Sequence, residues 1–179
     1  MKKVIVGSII ILSTLAISTS VQAAGETANG TLALSGEIVG SITLTVEEVA
    51  GSGTFGGDGT ATATADLGTF SKYGAAPATG FTRTQGASNW TIASNFGVRV
   101  VKANSASANY TLTAALNAAP TGSIAWTIDA TPLTTALLPI STAVAYSNTP
   151  VSYAFTIAIP DATATPVLDN TINFVATAN

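Results

Sequence analysis

"VSYAFTIAI", residues 151–159, alternates without a break: Val151, Tyr153, Phe155, Ile157 and Ile159 fall on one phase, and Ser, Ala and Thr fill the other. Successive side chains of a strand point to opposite faces, so this period of two describes a strand with one face on a core and one in water. The same pattern recurs in "SITLTVE" (41–47), "YTLTAAL" (110–116), "IAWTIDA" (124–130) and "TINFVATA" (171–178). The off-phase positions are largely threonine, which is β-branched and polar and suits an exposed strand face.

Shorter strands are expected in "TATATADLGTF" (60–70), "SNWTIAS" (88–94) and "NFGVRVVKA" (95–103). "GSGTFGGDG", "GAAPATG", "NAAPTG", "SNTP" and "PDATATP" mark turns between them. Pro160 and Pro166 stand at strand boundaries, where proline is tolerated. "ATPLTTALLPI" (130–140) has leucines at 133, 137 and 138 and admits one helical turn, bounded by Pro132 and Pro139. Many short strands separated by turns predict an all-β, antiparallel fold. An immunoglobulin-like β-sandwich is the first expectation and a jelly roll the second.

The chain begins with Lys2 and Lys3, a mostly apolar run from Val4 to Ile17, and "SVQA" with small residues at Val21 and Ala23. Residues 1–23 therefore read as a secretory signal peptide cleaved after Ala23, or after Ala24. About 155 residues follow, the size of one domain. They contain no second apolar stretch long enough to span a bilayer as a helix. The expected location is outside the cell or on its surface, reached through the periplasm if the cell is Gram-negative.

Histidine and cysteine are both absent. That removes Ser–His and Cys–His nucleophilic machinery and imidazole or thiolate metal sites. Glu47 and Glu48 are adjacent on a strand and so face opposite ways. The aspartates are scattered near turns, without the paired spacing of a two-carboxylate glycosidase. No enzyme activity, cofactor or metal is expected. "FGGDGTA" (55–61) reads as a hairpin loop, because glycine–aspartate calcium turns work as arrays. Thr60, Thr62 and Thr64 read as an exposed strand face.

Net charge is −3, and only Lys72, Arg83, Arg99 and Lys102 remain basic after the signal. Phosphate contacts need a basic surface, so nucleic acid is not an expected partner. Trp90, Trp126, Tyr153 and Phe155 share phase with aliphatic residues and read as core. Tyr73 and Tyr146 sit in or beside loops and are the candidate ligand-facing aromatics.

In "LALSGEIVGSITLTVEE" (32–48) one phase runs through Leu32, Leu34, Gly36, Ile38, Gly40, Ile42, Leu44 and Val46. Glycine adds nothing to a core and weakens an ordinary strand. Either this is a long first strand with bulges, or residues 24–40 form an extended arm that pairs elsewhere. The arm is period-two, proline-free and close to the mature N-terminus. With the signal peptide, the domain length, the strand pattern and the alternating last segment "NTINFVATAN", it makes the chain resemble a chaperone–usher pilus subunit. That resemblance implies assembly by strand donation or edge pairing, self-association or binding of related subunits, a periplasmic chaperone and an outer-membrane usher. On it, Leu32, Leu34, Ile38 and Ile42 would fill pockets, with Gly36 and Gly40 at close approaches. The chain departs from commoner pilins in having no disulfide and no penultimate aromatic. The alternative is a monomeric secreted binding module, with carbohydrate as a candidate ligand.

Overall fold

The computed structural model describes residues 40–163 and 168–179. The signal segment, Pro166 and the arm positions Leu32, Leu34, Gly36 and Ile38 lie outside the described residues. Every element within them is a strand: β1 (Ser41–Glu47), β2 (Phe55–Gly56), β3 (Thr64–Ala65), β4 (Thr82–Gln85), β5 (Asn89–Ala103), β6 (Asn109–Leu116), β7 (Ala125–Ile128), β8 (Thr131–Pro132), β9 (Leu138–Ala145), β10 (Val151–Pro160) and β11 (Ile172–Ala178). All pairings are antiparallel.

The larger sheet runs β1-β5-β10-β7-β8, with β4 also on β5; the second runs β11-β6-β9; β2 and β3 form a separate hairpin. β5 is the spine. β10 pairs along it from Asn89 to Val98, while β4 and β1 share its other edge, β4 on Trp90–Ala93 and β1 on Gly97–Ala103. "SNWTIAS" and "NFGVRVVKA" are thus one fifteen-residue strand.

The two sheets share a core. Ile92, Val98, Val100, Ile157 and Ile159 from one meet Tyr110, Leu112 and Ala114 from the other. Phe96 of β5 lies 5.4 Å, ring to ring, from Phe174 of β11, and the Tyr153 hydroxyl lies 3.1 Å from Ser141 Oγ of β9. Trp90, Trp126 and Tyr153 are buried, as their phase predicts, and Phe155 is partly buried against the core. The result is an all-β, sandwich-like body.

Two expectations change. "TATATADLGTF" forms only β3 and one bridge from Thr60 to Val46. Its Thr/Ala alternation offers no large side chain to hold a longer strand on the core. "ATPLTTALLPI" makes no helical turn. Asp129 and Ala130, both at positive φ, reverse the chain into β8, Leu133 is buried, and β9 starts at Leu138. In "LALSGEIVGSITLTVEE" the described part pairs from Ser41, opposite Ala103, and residues 32–39 lie outside the described residues.

Candidate functional site

The two larger sheets have four edges, and three are blunted. β8 is two residues long and contains Pro132. β9 carries Pro139, two register shifts and Ala143 at φ 52°. The β1/β4 side carries Glu47 and Arg83, and at Val46 it is already taken: Val46 N–H donates to Thr60 O (2.8 Å) and Gly59 N–H to Val46 O (2.9 Å). Proline, charge, bulges and covering loops are the usual means of keeping an edge from pairing. β11, "INFVATA", has none of them.

The direction of the β11 backbone follows from its two ends. Asn117 N–H donates to Thr171 O (2.8 Å), and Asn179 N–H to Asn109 O (3.0 Å). Odd-numbered residues therefore turn their amides toward β6. In an antiparallel ladder the alternate residues turn both N–H and C=O the other way. Ile172, Phe174, Ala176 and Ala178 thus direct their backbone polar groups to the outer edge, and no strand among the described residues pairs there.

Below that edge lies a cleft of about 530 Å³, walled by Leu44 and Val46 of β1, Phe96 of β5, and Ile172 and Phe174 of β11. Phe55 and Ala61–Ala65 of the β2–β3 region close its far side. Ile42, Ala176 and Ala178 are not part of the lining, and β1 and β11 approach within 8 Å at Cα. β1 and β11 run in opposite directions, so these residues all mark one end. The cleft lies toward the Val46–Ile172 end of these two strands.

The hairpin over the cleft is held by carboxylates. Asp58 Oδ1 accepts from Glu48 N–H (2.6 Å) and Glu48 Oε1 from Phe55 N–H (2.7 Å). "FGGDGTA" is a loop of this kind. Glu47, on the opposite face from Glu48, pairs with Arg99 and accepts from Thr45 Oγ1 at 2.8 Å. Among the described residues no group of three acidic side chains is placed to hold a metal, and no helix is long and apolar enough to cross a membrane.

Sequence reasoning singled out Gly40, Ile42, Tyr73 and Tyr146 among the described residues. A Cβ on Gly40 would stand 2.8 Å from Asn104 O, so its close approach is to its own domain. Ile42 lies in β1, opposite Lys102, and packs on the domain's own core. Tyr146 is half-buried, with its ring 5.3 Å from Tyr110 and Lys102 Nζ 5.1 Å from its centre. It offers no free face comparable with Tyr73, which is 76% exposed.

Tyr73 stands on a loop fixed from outside. Arg83 Nη1 donates to three carbonyls, Ser71, Gly74 (3.2 Å) and Ala75 (2.9 Å). Gln85 Nε2 donates to Lys72 O (2.8 Å). Lys72 Nζ meets Asp161 Oδ1 at 2.6 Å and lies 4.9 Å from the centre of the Tyr73 ring. Hydrogen bonding to the Asp161 carboxylate, and secondarily to Tyr73, raises the Lys72 pKa above its ordinary value. None of the cleft, the free edge or the Arg83 hub was visible in the sequence, since each depends on which strands become neighbours.

Comparison with family models, with curated proteins and with solved structures finds no match.

Proposed function

We propose that this chain is an exported, non-catalytic structural subunit of a cell-surface filament or matrix, completed by a strand laid along β11. The observation that carries this reading is the uncharged, proline-free, bulge-free edge of β11 beside an apolar cleft. Four outward-turned residues on that edge can accept a backbone ladder, and alternate side chains of the added strand would enter the cleft. The arm, residues 24–40, has the matching chemistry: Leu32, Leu34, Gly36 and Ile38 on one phase, no proline, and two charged side chains, Glu37 off that phase and Glu26 ahead of its apolar part. Ile42 stays in β1 and belongs to the receiving domain.

The strand order supports an immunoglobulin-like assignment. With β1, β5, β6, β7, β10 and β11 lettered A to F, A-B-E-D lies in one sheet and C-F in the other, and no strand among the described residues lies beside F on its outer side. β9, on the far side of β6, is the departure from that scheme. Under this reading another copy or a related subunit supplies the strand. A periplasmic chaperone and an outer-membrane usher are the partners proposed for its assembly and delivery, as for the pilus subunits it resembles.

The test compares the mature chain with one lacking residues 24–40, on gels run without boiling and by size-exclusion chromatography. The mature chain should give ladders that resist detergent. The truncated chain should give none, and a synthetic 24–40 peptide should raise its melting temperature. A mature chain that stays monomeric, and whose stability is unchanged by the truncation, refutes donation.

A further inference from the structure

We propose a second site, for a neutral saccharide, on the Tyr73 loop, toward the opposite end of β5 from Ser41. β5 sets the separation. Gln85, which holds the loop at Lys72 O, pairs with Trp90 near the start of β5, while Ser41, where the arm joins, pairs with Ala103 at its end. At about 3.3 Å per residue these lie roughly 45 Å apart.

The loop is built to present one aromatic ring. The three carbonyls on Arg83, the Gln85 bond and the Lys72–Asp161 pair fix the backbone on both sides of Tyr73. Ser71 adds two bonds within the loop: its N–H donates to Ala75 O (3.1 Å) and its Oγ accepts from Gly74 N–H (3.0 Å). Phe70, three residues earlier, is anchored edge-on to buried Trp90 at 5.8 Å. Tyr73 itself contributes nothing to the core. A large side chain held out on a rigid backbone loses little freedom when it is covered, which is the property of a binding anchor.

Lys72, whose ammonium lies over the Tyr73 ring, also lines a depression of about 690 Å³ with Asp66, Asp161, Asp169, Phe70 and Trp90; Tyr73 itself stands outside that lining. Its polar groups select the ligand. Three carboxylates against one ammonium, itself bound to Asp161, disfavour an anion. Lys72 already lies over the Tyr73 ring, so a second cation there meets repulsion in place of the ring's attraction. A neutral ligand with an apolar C–H face for the ring and hydroxyl donors for the carboxylates satisfies both conditions, and a pyranose has that form.

The mature chain is titrated with glucose, galactose, mannose, N-acetylglucosamine and lactose, with oligolysine as the cationic competitor, and followed by NMR shifts of the Tyr73 and Gly74 amides. At least one saccharide should saturate in the millimolar range. Tyr73→Ala should weaken it tenfold or more, Tyr73→Phe should leave it within threefold, and Arg83→Ala, which frees the loop, should weaken it with Tyr73 intact. Binding of oligolysine alone, no saccharide binding below 10 mM, or saccharide binding that Tyr73→Ala leaves unchanged overturns the proposal. Because the depression shares Ala65, Leu67, Leu168 and Asp169 with the cleft beside β11, ladders are scored on the same variants: Tyr73→Ala should keep them while losing the saccharide, and joint loss of both overturns a separate site.

Discussion

Ser94 is the one buried polar residue among the described residues, on the same inward phase of β5 as Ile92 and Phe96. Its hydroxyl accepts from Gly53 N–H at 3.0 Å and donates to Gly80 O at 2.8 Å. Those glycines belong to the two segments that build the surface features: Gly53 leads into the hairpin over the cleft, and Gly80 leads from the Tyr73 loop into β4. The segments cross so closely that a Cβ on Gly80 would lie 2.1 Å from Ser52 O, at a φ of 84°. Ser94→Ala leaves a buried N–H and a half-buried C=O without their partner. Each orphaned group costs roughly 1–3 kcal/mol, so the loss should be about 2–4 kcal/mol, a large part of a typical domain's stability. Urea unfolding followed by the fluorescence of buried Trp90 and Trp126 measures it, with the m-value unchanged. Ser152→Ala, at an exposed position of β10, is the control and should stay within about 0.5 kcal/mol. In hydrogen exchange, the Gly53 amide should lose protection in the Ser94 variant. A midpoint shift equal to the control's, or a Gly53 amide that keeps its protection, would show that the hydroxyl does not tie these segments to β5.

Burial raises the Tyr110 pKa to about 12, and burial also raises that of Tyr153. Below pH 10 both are protonated folded or unfolded and their contribution is intact. Above pH 10 the unfolded chain loses these protons first, so stability should fall as pH rises from 10 to 12, by about 2–3 kcal/mol for Tyr110; phenolate absorbance and circular dichroism should change together. Ala130→Gly should stabilise by about 1 kcal/mol in thermal unfolding, because Ala130 holds φ 65° in the turn between β7 and β8. Gly80→Ala should cost more than about 3 kcal/mol, since overpacking and a positive-φ penalty act together there. Tyr153→Phe removes the cross-sheet bond to Ser141 and should cost about 1 kcal/mol.

Strand phase was legible wherever large side chains alternate with small ones. β1, β6, β10 and β11 follow their patterns, and the inward residues Leu112, Tyr153 and Ile157 are buried as the phase requires. Legibility failed where a polar residue sits on the inward phase. Ser94 and Asn95 look like a break between two strands, yet β5 continues through them because the Ser94 hydroxyl is satisfied by two distant backbone groups. Local sequence contains no sign of bonds made 41 and 14 residues away. It failed also in "ATPLTTALLPI", where leucine spacing suggested a helical turn but Asp129 accepts from Ala154 N–H at 2.7 Å and donates its own N–H to Ala154 O at 2.9 Å. That clamp on β10 reverses the chain before any helix can nucleate, and a short helix between two prolines has little to oppose it. The candidate site was half legible. The arm's alternation can be read directly, but a strand needs an edge, and the edge exists only once β6 has β11 on one side and β9 on the other.

The contrast among edges bears on why the cleft faces β11 and not another strand. An unprotected edge in a charge-poor protein is an aggregation hazard, and at β8, β9 and the β1/β4 side this chain carries proline, bulges, charge or a covering hairpin. Those devices cost stability: a positive-φ alanine in β9 and a glycine-rich crossing beneath the hairpin are both strained or entropically expensive. If the open edge of β11 were incidental, a single lysine at exposed Asn173 or Val175 would be harmless to the lone domain and harmless to assembly. If the edge is a pairing surface, adding such a charge is still tolerated by the lone domain, because the outer face is solvated. Proline at Phe174 is different, because it deletes an outward N–H and an aromatic wall of the cleft at once. Ala176→Pro separates the two effects, since it removes an outward N–H outside the cleft lining. Donation along β11 therefore requires that Ala176→Pro abolish the ladders while circular dichroism of the peptide-free truncated chain stays that of the parent. Ladders that survive Ala176→Pro would place the added strand on some other edge.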